Sequence, residues 1–298
     1  MRRFFSNGKV LLSGEYAVLH GAEAIGLPIK MGQDLLVNNR NDDLIDWSSY
    51  NIDKRIWFKC IFKNDSLNII KTNDSKIAKK LQKILKIAKE LNPEFLISGK
   101  TVKTNLSFDF RWGLGSSSTL INNIAQWAKV NPYYLLRKTF GGSGYDIACA
   151  SNSSPILFSL NSKKQIIKQV KFNPKFKENL FFIYQNKMQN SKKSISAFQY
   201  KKSIKPSTIS EISKISNDLL ITSSIKEFSE LINTHERIIS ELLQIRPLIK
   251  YFLDYKGSVK SLGAWGGDFF LAIGPKDSLD YFKKKGLNIG FSFNNFIL

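Results

Sequence analysis

Trp112-Gly113-Leu114-Gly115-Ser116-Ser117-Ser118-Thr119 runs straight into Leu120-Ile121-Asn122-Asn123-Ile124-Ala125. Leu120, Ile121, Ile124, Ala125 and Ala128 share one side at helical spacing, and the spacing predicts a helix over residues 116–130 that opens on three serines, good N-terminal residues. Two glycines let the backbone approach a ligand closely. The N-terminus of the helix offers unpaired N–H groups and a partial positive charge, which suits phosphate. The serine hydroxyls can donate to phosphate or ligate Mg²⁺. No G-x-x-x-x-G-K-[ST] string occurs, so this is not a Walker A loop. Taken alone, a glycine-serine turn before a helix is equally a structural device.

Around this string, strand-like and helix-like pieces alternate. Residues 9–12, 35–38, 57–62 and 100–106 read as strands. Residues 76–91 read as an amphipathic helix on Ile77, Leu81, Ile84, Leu85, Ala88 and Leu91, with its lysines turned to solvent. Residues 140–150 form a glycine-rich loop entering a helix. Residues 156–160 and 180–184 read as strands, and the polar stretch 161–179 between them carries the expected domain boundary, giving domains 1–165 and 166–298. Residues 207–253 are mainly helical, and residues 259–262 and 269–273 are strands flanking a glycine turn. Strands mixed with segregated helices predict α+β layering rather than a doubly wound sheet.

The chain has 298 residues, 43% of them hydrophobic, enough for one large domain or two moderate ones. No run approaches eighteen uninterrupted apolar residues, so no membrane span is expected. The apolar Val10-Leu11-Leu12 is too short for a signal-peptide core. Two cysteines, Cys60 and Cys149, argue against a disulfide framework and for a reducing, cytoplasmic setting. With two histidines far apart, they form no zinc pattern. Forty-five basic residues against 24 acidic ones give +21. Such a surface attracts anions. The excess is mostly lysine, comes with many Asn and Ile as a compositional bias would give, and is spread along the chain without an aromatic-basic stacking motif, so nucleic acid is not the expected partner.

Three further strings carry possible chemistry. In Gly8-Lys9-Val10-Leu11-Leu12-Ser13-Gly14-Glu15-Tyr16-Ala17-Val18, a lysine opens a buried strand and a Gly-Glu pair closes it. That lysine could neutralise phosphate charge, and the segment could also be an ordinary strand-turn. In Gly141-Gly142-Ser143-Gly144-Tyr145-Asp146, a carboxylate follows a flexible loop. It could take a proton from a hydroxyl, hold a metal, or simply cap a helix. Lys260-Ser261-Leu262-Gly263-Ala264-Trp265-Gly266-Gly267-Asp268 lies between two strands, either turning against a ligand or forming a bulged hairpin.

Together, in this order and across residues 9–273, the four strings resemble the GHMP kinases, the group of galactokinase, homoserine kinase, mevalonate kinase and phosphomevalonate kinase. The resemblance implies an N-terminal α/β domain like one found in a ribosomal protein and a ferredoxin-like C-terminal domain. It implies an ATP- and Mg²⁺-dependent kinase, a monomer or homodimer, acting on a small metabolite. Gly113, Leu114, Gly115, Ser116, Ser117 and Ser118, with Arg111, would hold the ATP phosphates. Ser117 matches the Mg²⁺-ligating serine. Asp146 matches the catalytic base and metal-side carboxylate, and Lys9 the lysine near the reacting phosphate. Glu15, Tyr16, Gly144, Gly263, Gly266 and Gly267 would line the substrate site.

The chain departs from mevalonate kinases at several points. Tyr16 stands for their histidine, Leu135 for a second Mg²⁺-binding glutamate, and Trp265 and Asp268 for glycines. Gly-Glu-Tyr-Ala-Val, Arg111-Trp112, Gly-Ser-Gly-Tyr-Asp and Gly-Gly-Asp resemble phosphomevalonate kinase, while Leu19-His20-Gly21 echoes mevalonate kinase. Phosphomevalonate is therefore the expected acceptor and mevalonate the alternative. A non-catalytic basic binding protein on the same fold and an ATP-dependent decarboxylase are the rival classes. His235 and Glu236 are expected on an exposed helix face, Cys149 as a small packing residue, and Gln189-Asn190-Ser191 as a polar turn.

Overall fold

The computed structural model describes residues 1–161, 164–189, 198 and 204–298. Asn190 and Ser191 lie outside the described residues. Two compact units interleave along the chain. One comprises Met1–Gly8, Met31–Phe110 and Leu114–Ser151, and the other Lys9–Lys30, Arg111–Gly113 and Asn152–Leu298.

The first unit is a strand layer covered by helices. β1 (Arg2–Leu11) pairs with β2 (Ala24–Asn39). β3 (Leu44–Tyr50), β4 (Ile56–Lys63), β5 (Ile69–Thr72) and β6 (Lys100–Leu106) extend the layer in the order β5-β4-β3-β6-β2. β6 runs antiparallel to β2 and parallel to β3. β3 escapes an apolar-alternation reading because Ser48 and Ser49 are buried in it. Ser49 Oγ accepts from Trp47 Nε1 at 3.1 Å and from Thr104 Oγ1 at 2.9 Å, which removes the cost of burying a hydroxyl.

α1 (Ser75–Leu91) is capped by Asp74, whose carboxylate accepts from the Lys76 and Ile77 N–H groups, and it buries Ala78, Leu81, Ile84, Leu85 and Ala88. α2 (Ser116–Ala128) ends two residues earlier than the periodicity implies, because Lys129 turns into the left-handed region. α3 (Pro132–Thr139), capped by Asn131, is an element the sequence reading does not contain. α4 (Tyr145–Ala150) follows the glycine-rich loop. These helices and the strands enclose one core around Trp47, Phe58, Phe62, Leu85, Ile121 and Leu135.

In the second unit, the first residues of β2 pair with β7 (Ile156–Asn161), which pairs with β8 (Lys164–Gln169). β8 arises inside the stretch read as a polar connection. It has only Ile166 and Ile167 as apolar residues, so it shows no alternation. It is held by its ladder to β7 rather than by a buried face. A four-stranded antiparallel sheet follows, built from β9 (Leu180–Tyr184), β10 (Ser258–Ser261), β11 (Phe269–Ile273) and β12 (Gly290–Ser292) in the order β10-β11-β9-β12. α5 (Pro206–Ile221) and α6 (Ile225–Leu243) are its long helices, and α6 packs on β10. α7 (Ser278–Lys284) and α8 (Phe293–Phe296) complete it. Phe181, Ile183, Phe270 and Phe282 form its core. Mixed strands and segregated helices make the architecture α+β.

Both cysteines are buried and neither forms a disulfide. Among the described residues, no helix is long and apolar enough to cross a membrane.

Trp47 is 1% exposed in the centre of the first core. Trp47→Ala should cost about 3–5 kcal/mol, read as a fall in the urea unfolding midpoint.

Candidate active site

α2 begins at Gly115, which takes φ 92° and has no side chain to cap the helix. The N–H groups of Ser118 and Thr119 are already spent on the Gly115 carbonyl, at 3.0 and 2.9 Å. The helix start is therefore a left-handed glycine followed by three serines, of which Ser117 is exposed and Ser118 buried.

The helix is fixed by polar contacts that apolar periodicity does not register. Thr119, Asn122 and Asn123 are all buried on the strand side of α2. Thr119 Oγ1 donates to Gln33 Oε1 at 2.8 Å, and Asn123 Nδ2 donates to the Gln33 carbonyl at 2.8 Å. Ser6 Oγ donates to Asn123 Oδ1 at 2.7 Å and accepts from Asn122 Nδ2 at 2.9 Å. A buried network of this kind has one geometry in which every member is satisfied, so it sets both the rotation and the depth of the helix. Leu120, expected on the buried side, is only partly buried.

Asp146 sits in the first turn of α4 and is half-buried. Gly144 before it takes φ 86°, and the Tyr145 N–H donates to Ser143 Oγ at 3.2 Å. Leu135 is fully buried in the core of the first unit, so its position offers no metal ligand. Among the described residues, no three His, Cys, Asp or Glu side chains gather as a metal site. A Mg²⁺ ion held largely by nucleotide oxygens and water needs only one or two protein ligands, and Ser117 and Asp146 are of the right oxygen-donor type.

In the second unit, the remaining strings meet at one turn. Trp112 packs against Tyr184, Phe269 and Phe291, and Arg111, whose side chain is exposed, offers its carbonyl to the Tyr184 hydroxyl at 3.3 Å. Gly113 takes φ 70°, and a Cβ there would lie 2.3 Å from the Asp268 carboxyl. Asp268 Oδ1 accepts from the Gln189 N–H at 3.0 Å. Burial raises the Asp268 pKa, opposed by that N–H and by the Lys9 ammonium. Gln189 Nε2 donates to the Trp265 carbonyl at 2.6 Å, which gives this residue a definite role in shaping the turn. Gly267 has no room for a side chain, since a Cβ would sit 2.7 Å from the Lys187 carbonyl. Gly263 has open space around it but needs its glycine for φ 63°, and Gly266 takes φ 74°.

Glu15 is fully buried, and its carboxylate meets the Lys260 ammonium, itself fully buried. Tyr16 is also buried, and its hydroxyl donates to the Ala264 carbonyl at 2.6 Å. His235 and Glu236 are a correction to the expectation of an exposed face, being 0% and 3% exposed. Their polarity hides them from a periodicity reading, and they are buried because they bond the two strings. Burial pushes Glu236 from its ordinary 4.5 up to about 7, against the pull of Lys260 and of the N–H groups of Leu248 and Ser261.

No family model and no curated protein matches the chain. Solved structures do. The Methanococcus jannaschii mevalonate kinase aligns over 97% of this chain and 96% of its own, with TM-score 0.72 and 16% identity. The Streptococcus pneumoniae phosphomevalonate kinase in complex with phosphomevalonate and AMPPNP aligns over 98% and 99%, with TM-score 0.73 and 15% identity. The Lactococcus lactis galactokinase complexed with galactose aligns over 95% and 87%, with TM-score 0.67 and 15% identity. The chain has the GHMP kinase fold. Within that fold, the strings read from the sequence fall at a helix N-terminus, a strand-turn, a loop before a short helix and a hairpin turn.

Two expectations come from this geometry. Gly113→Ala should lower the unfolding midpoint through left-handed strain of about 1–2 kcal/mol plus the clash with Asp268. Adding Asp268→Ala, which removes the carboxyl but keeps a Cβ at φ 58°, should recover the clash less the bond to the Gln189 N–H and leave the strain at residue 113. Glu236 binds its proton more tightly folded than unfolded, so its contribution is fully present below 4.5 and is lost as pH rises from 4.5 to about 7. Thermal melts across that window should show a flatter pH dependence in Glu236→Gln.

Proposed function

We propose that this protein transfers the γ-phosphoryl of ATP to a small anionic metabolite, with phosphomevalonate as the preferred acceptor. The observation that carries the reading is the start of α2: a left-handed glycine and three serines at an uncapped helix N-terminus, locked in orientation by a buried polar network. This is what a phosphate cradle requires, and it occurs in a chain with the GHMP kinase fold. The choice of acceptor is supported by Gly14-Glu15-Tyr16, Arg111-Trp112 and Gly266-Gly267-Asp268. It is also supported by likeness to a fold whose solved examples include the Streptococcus pneumoniae enzyme with phosphomevalonate and AMPPNP.

Phosphoryl transfer is mostly positioning and charge neutralisation. Bound Mg²⁺-ATP supplies the phosphoryl group and the metal's neutralising charge. The N–H groups at the start of α2 ahead of Ser118 would hold phosphate oxygens, and the Ser117 hydroxyl would serve as a metal ligand. Lys9 and Arg111 stabilise negative charge on the reacting groups. Asp146 orients the acceptor on the metal side. With a hydroxyl acceptor such as mevalonate it would instead take the proton. A phosphomonoester has its second pKa near 6 and needs little such help. The basic surface favours anionic metabolites over nucleic acid in this reading, and the protein acts in the cytoplasm as a monomer or homodimer.

A coupled ATPase assay against mevalonate, phosphomevalonate, diphosphomevalonate and homoserine tests the proposal. Turnover should appear with phosphomevalonate and fall sharply in Ser117→Ala at limiting Mg²⁺. Asp146→Asn should then cause a partial loss that added Mg²⁺ relieves. If mevalonate is the acceptor, the same substitution should cost about a hundred- to ten-thousand-fold. Absence of turnover with every acceptor would overturn the kinase reading.

A further inference from the structure

The second unit buries four ionisable side chains in one cluster. Glu15, Lys260 and His235 are 0% exposed and Glu236 is 3% exposed. Taking charges out of water is costly unless each is paired and hydrogen-bonded. Here the Glu15–Lys260 and Gly14–His235 bonds run between segments far apart in sequence. Lys260 Nζ donates to the Glu15 carboxylate and, at 2.9 Å, to the Ser261 carbonyl. His235 Nε2 accepts from the Gly14 N–H at 2.9 Å. An accepting Nε2 carries no proton, so the imidazole is neutral. Burial and the Lys260 charge hold its pKa well below 6.5, in agreement with that geometry.

The neighbouring residue on α6 does the same for the other string. Glu236 accepts from the Ser261 N–H at 3.0 Å, the Ser261 hydroxyl at 3.1 Å and the Leu248 N–H at 3.1 Å. Consecutive residues of one helix thus fasten residue 14 and residue 261. Glu15 and Lys260 join the two strings directly, and the Tyr16 hydroxyl adds a third tie at Ala264. The turn so held ends at Asp268, whose carboxyl rests on Gly113, the first glycine of the glycine-serine loop.

We infer that Glu15 and Lys260, backed by His235 and Glu236, are positioning residues. They set the spacing of the two turns and, through Asp268, the placement of Gly113, and neither side chain touches the phosphoryl acceptor. This rests on the proposed kinase reading for its activity arm only. It differs from the role in the substrate site that family resemblance implies for Glu15. The carboxylate and the ammonium have no exposed surface and are paired with each other, and the second carboxylate oxygen, Oε2, which makes no hydrogen bond, faces His235 Nε2 at 3.5 Å inside the cluster rather than a ligand.

Removing one partner of a buried pair leaves an unmatched charge, whereas removing both can be neutral. The test is a double-mutant cycle of Glu15→Gln and Lys260→Met, read by unfolding midpoint and by the KM for ATP and kcat with the acceptor found in the panel. Each single variant should lower the midpoint and raise the ATP KM. The double variant should recover most of both, with kcat within about threefold of the unmodified protein, since coupled sites show non-additive effects. Tyr16→Phe, which creates no buried charge and should fold, removes the tie to Ala264 and is expected to raise the ATP KM by about two- to tenfold, the worth of one hydrogen bond. A double variant that regains its midpoint but stays as inactive as the worse single would show that one side chain contacts the acceptor, and the inference would be wrong. It would be equally wrong if the single variants left midpoint and KM unmoved. Failure of the kinase reading looks different: the unmodified protein would turn over no acceptor, and the midpoint cycle would still decide whether the pair couples the turns.

Discussion

A backbone that presents its own N–H groups to a ligand cannot also use them to hold itself in place. In the proposed reading, the start of α2 meets this constraint by taking its support from elsewhere. Gly115 leaves the helix without a side-chain cap, and the anchoring is displaced to Thr119, Asn122 and Asn123, about one and two turns further on. Apolar packing alone would tolerate small rotations of the helix, because dispersion is nearly indifferent to direction. Hydrogen bonds to Ser6 and Gln33 are directional, and a rotation would leave buried amides unpaired, at about 1–3 kcal/mol each.

The second unit solves a related problem with charge. Its two glycine turns are flexible by composition. Gly14, Gly263 and Gly266 sit in the left-handed region, and Tyr16, Trp265 and Asp268 join them there despite carrying side chains. Such residues persist in these conformations only where the surroundings over-determine them. The surroundings here are the Glu15–Lys260 pair, the His235–Gly14 and Glu236–Ser261 bonds, and the tilted and edge-on rings around Trp112. Greasy residues of similar volume could fill the same space, but they would not dictate which backbone atom faces which.

Much of this was legible in the residues. α1 and β6 stand out through their periodicity, and β10 and β11 through the glycines between them. The glycine-serine string declares itself because backbone access and a helix start are both written in residue type. What escaped is instructive. β3 hides behind Ser48 and Ser49, and β8 behind lysines and glutamines on a sheet edge, since a strand paired through its backbone need not alternate. α3 is short and its tyrosines and leucines mimic a strand. His235 and Glu236 look like solvent-facing residues because their partners, Gly14 and Ser261, lie 221 and 25 residues away. No local pattern encodes a partner that distant. Leu135 could be seen to differ from the expected glutamate, but only the fold shows that it is core.

The interleaving of the units has a consequence for biogenesis. Residues 9–30 are made well before bonding partners that include Ser213, Ser216, His235 and Lys260, the last of these 245 positions downstream of Glu15. Bringing such distant segments together requires closing a loop almost as long as the chain, and folds dominated by distant pairings form slowly. The first unit can assemble its core from residues 31–151 while synthesis continues. β1, with Val10 and Leu11, can already pair with β2, but the turn bearing Glu15 lacks its buried partner until β10 has been made, and partly assembled apolar surface of that kind is what chaperones act on.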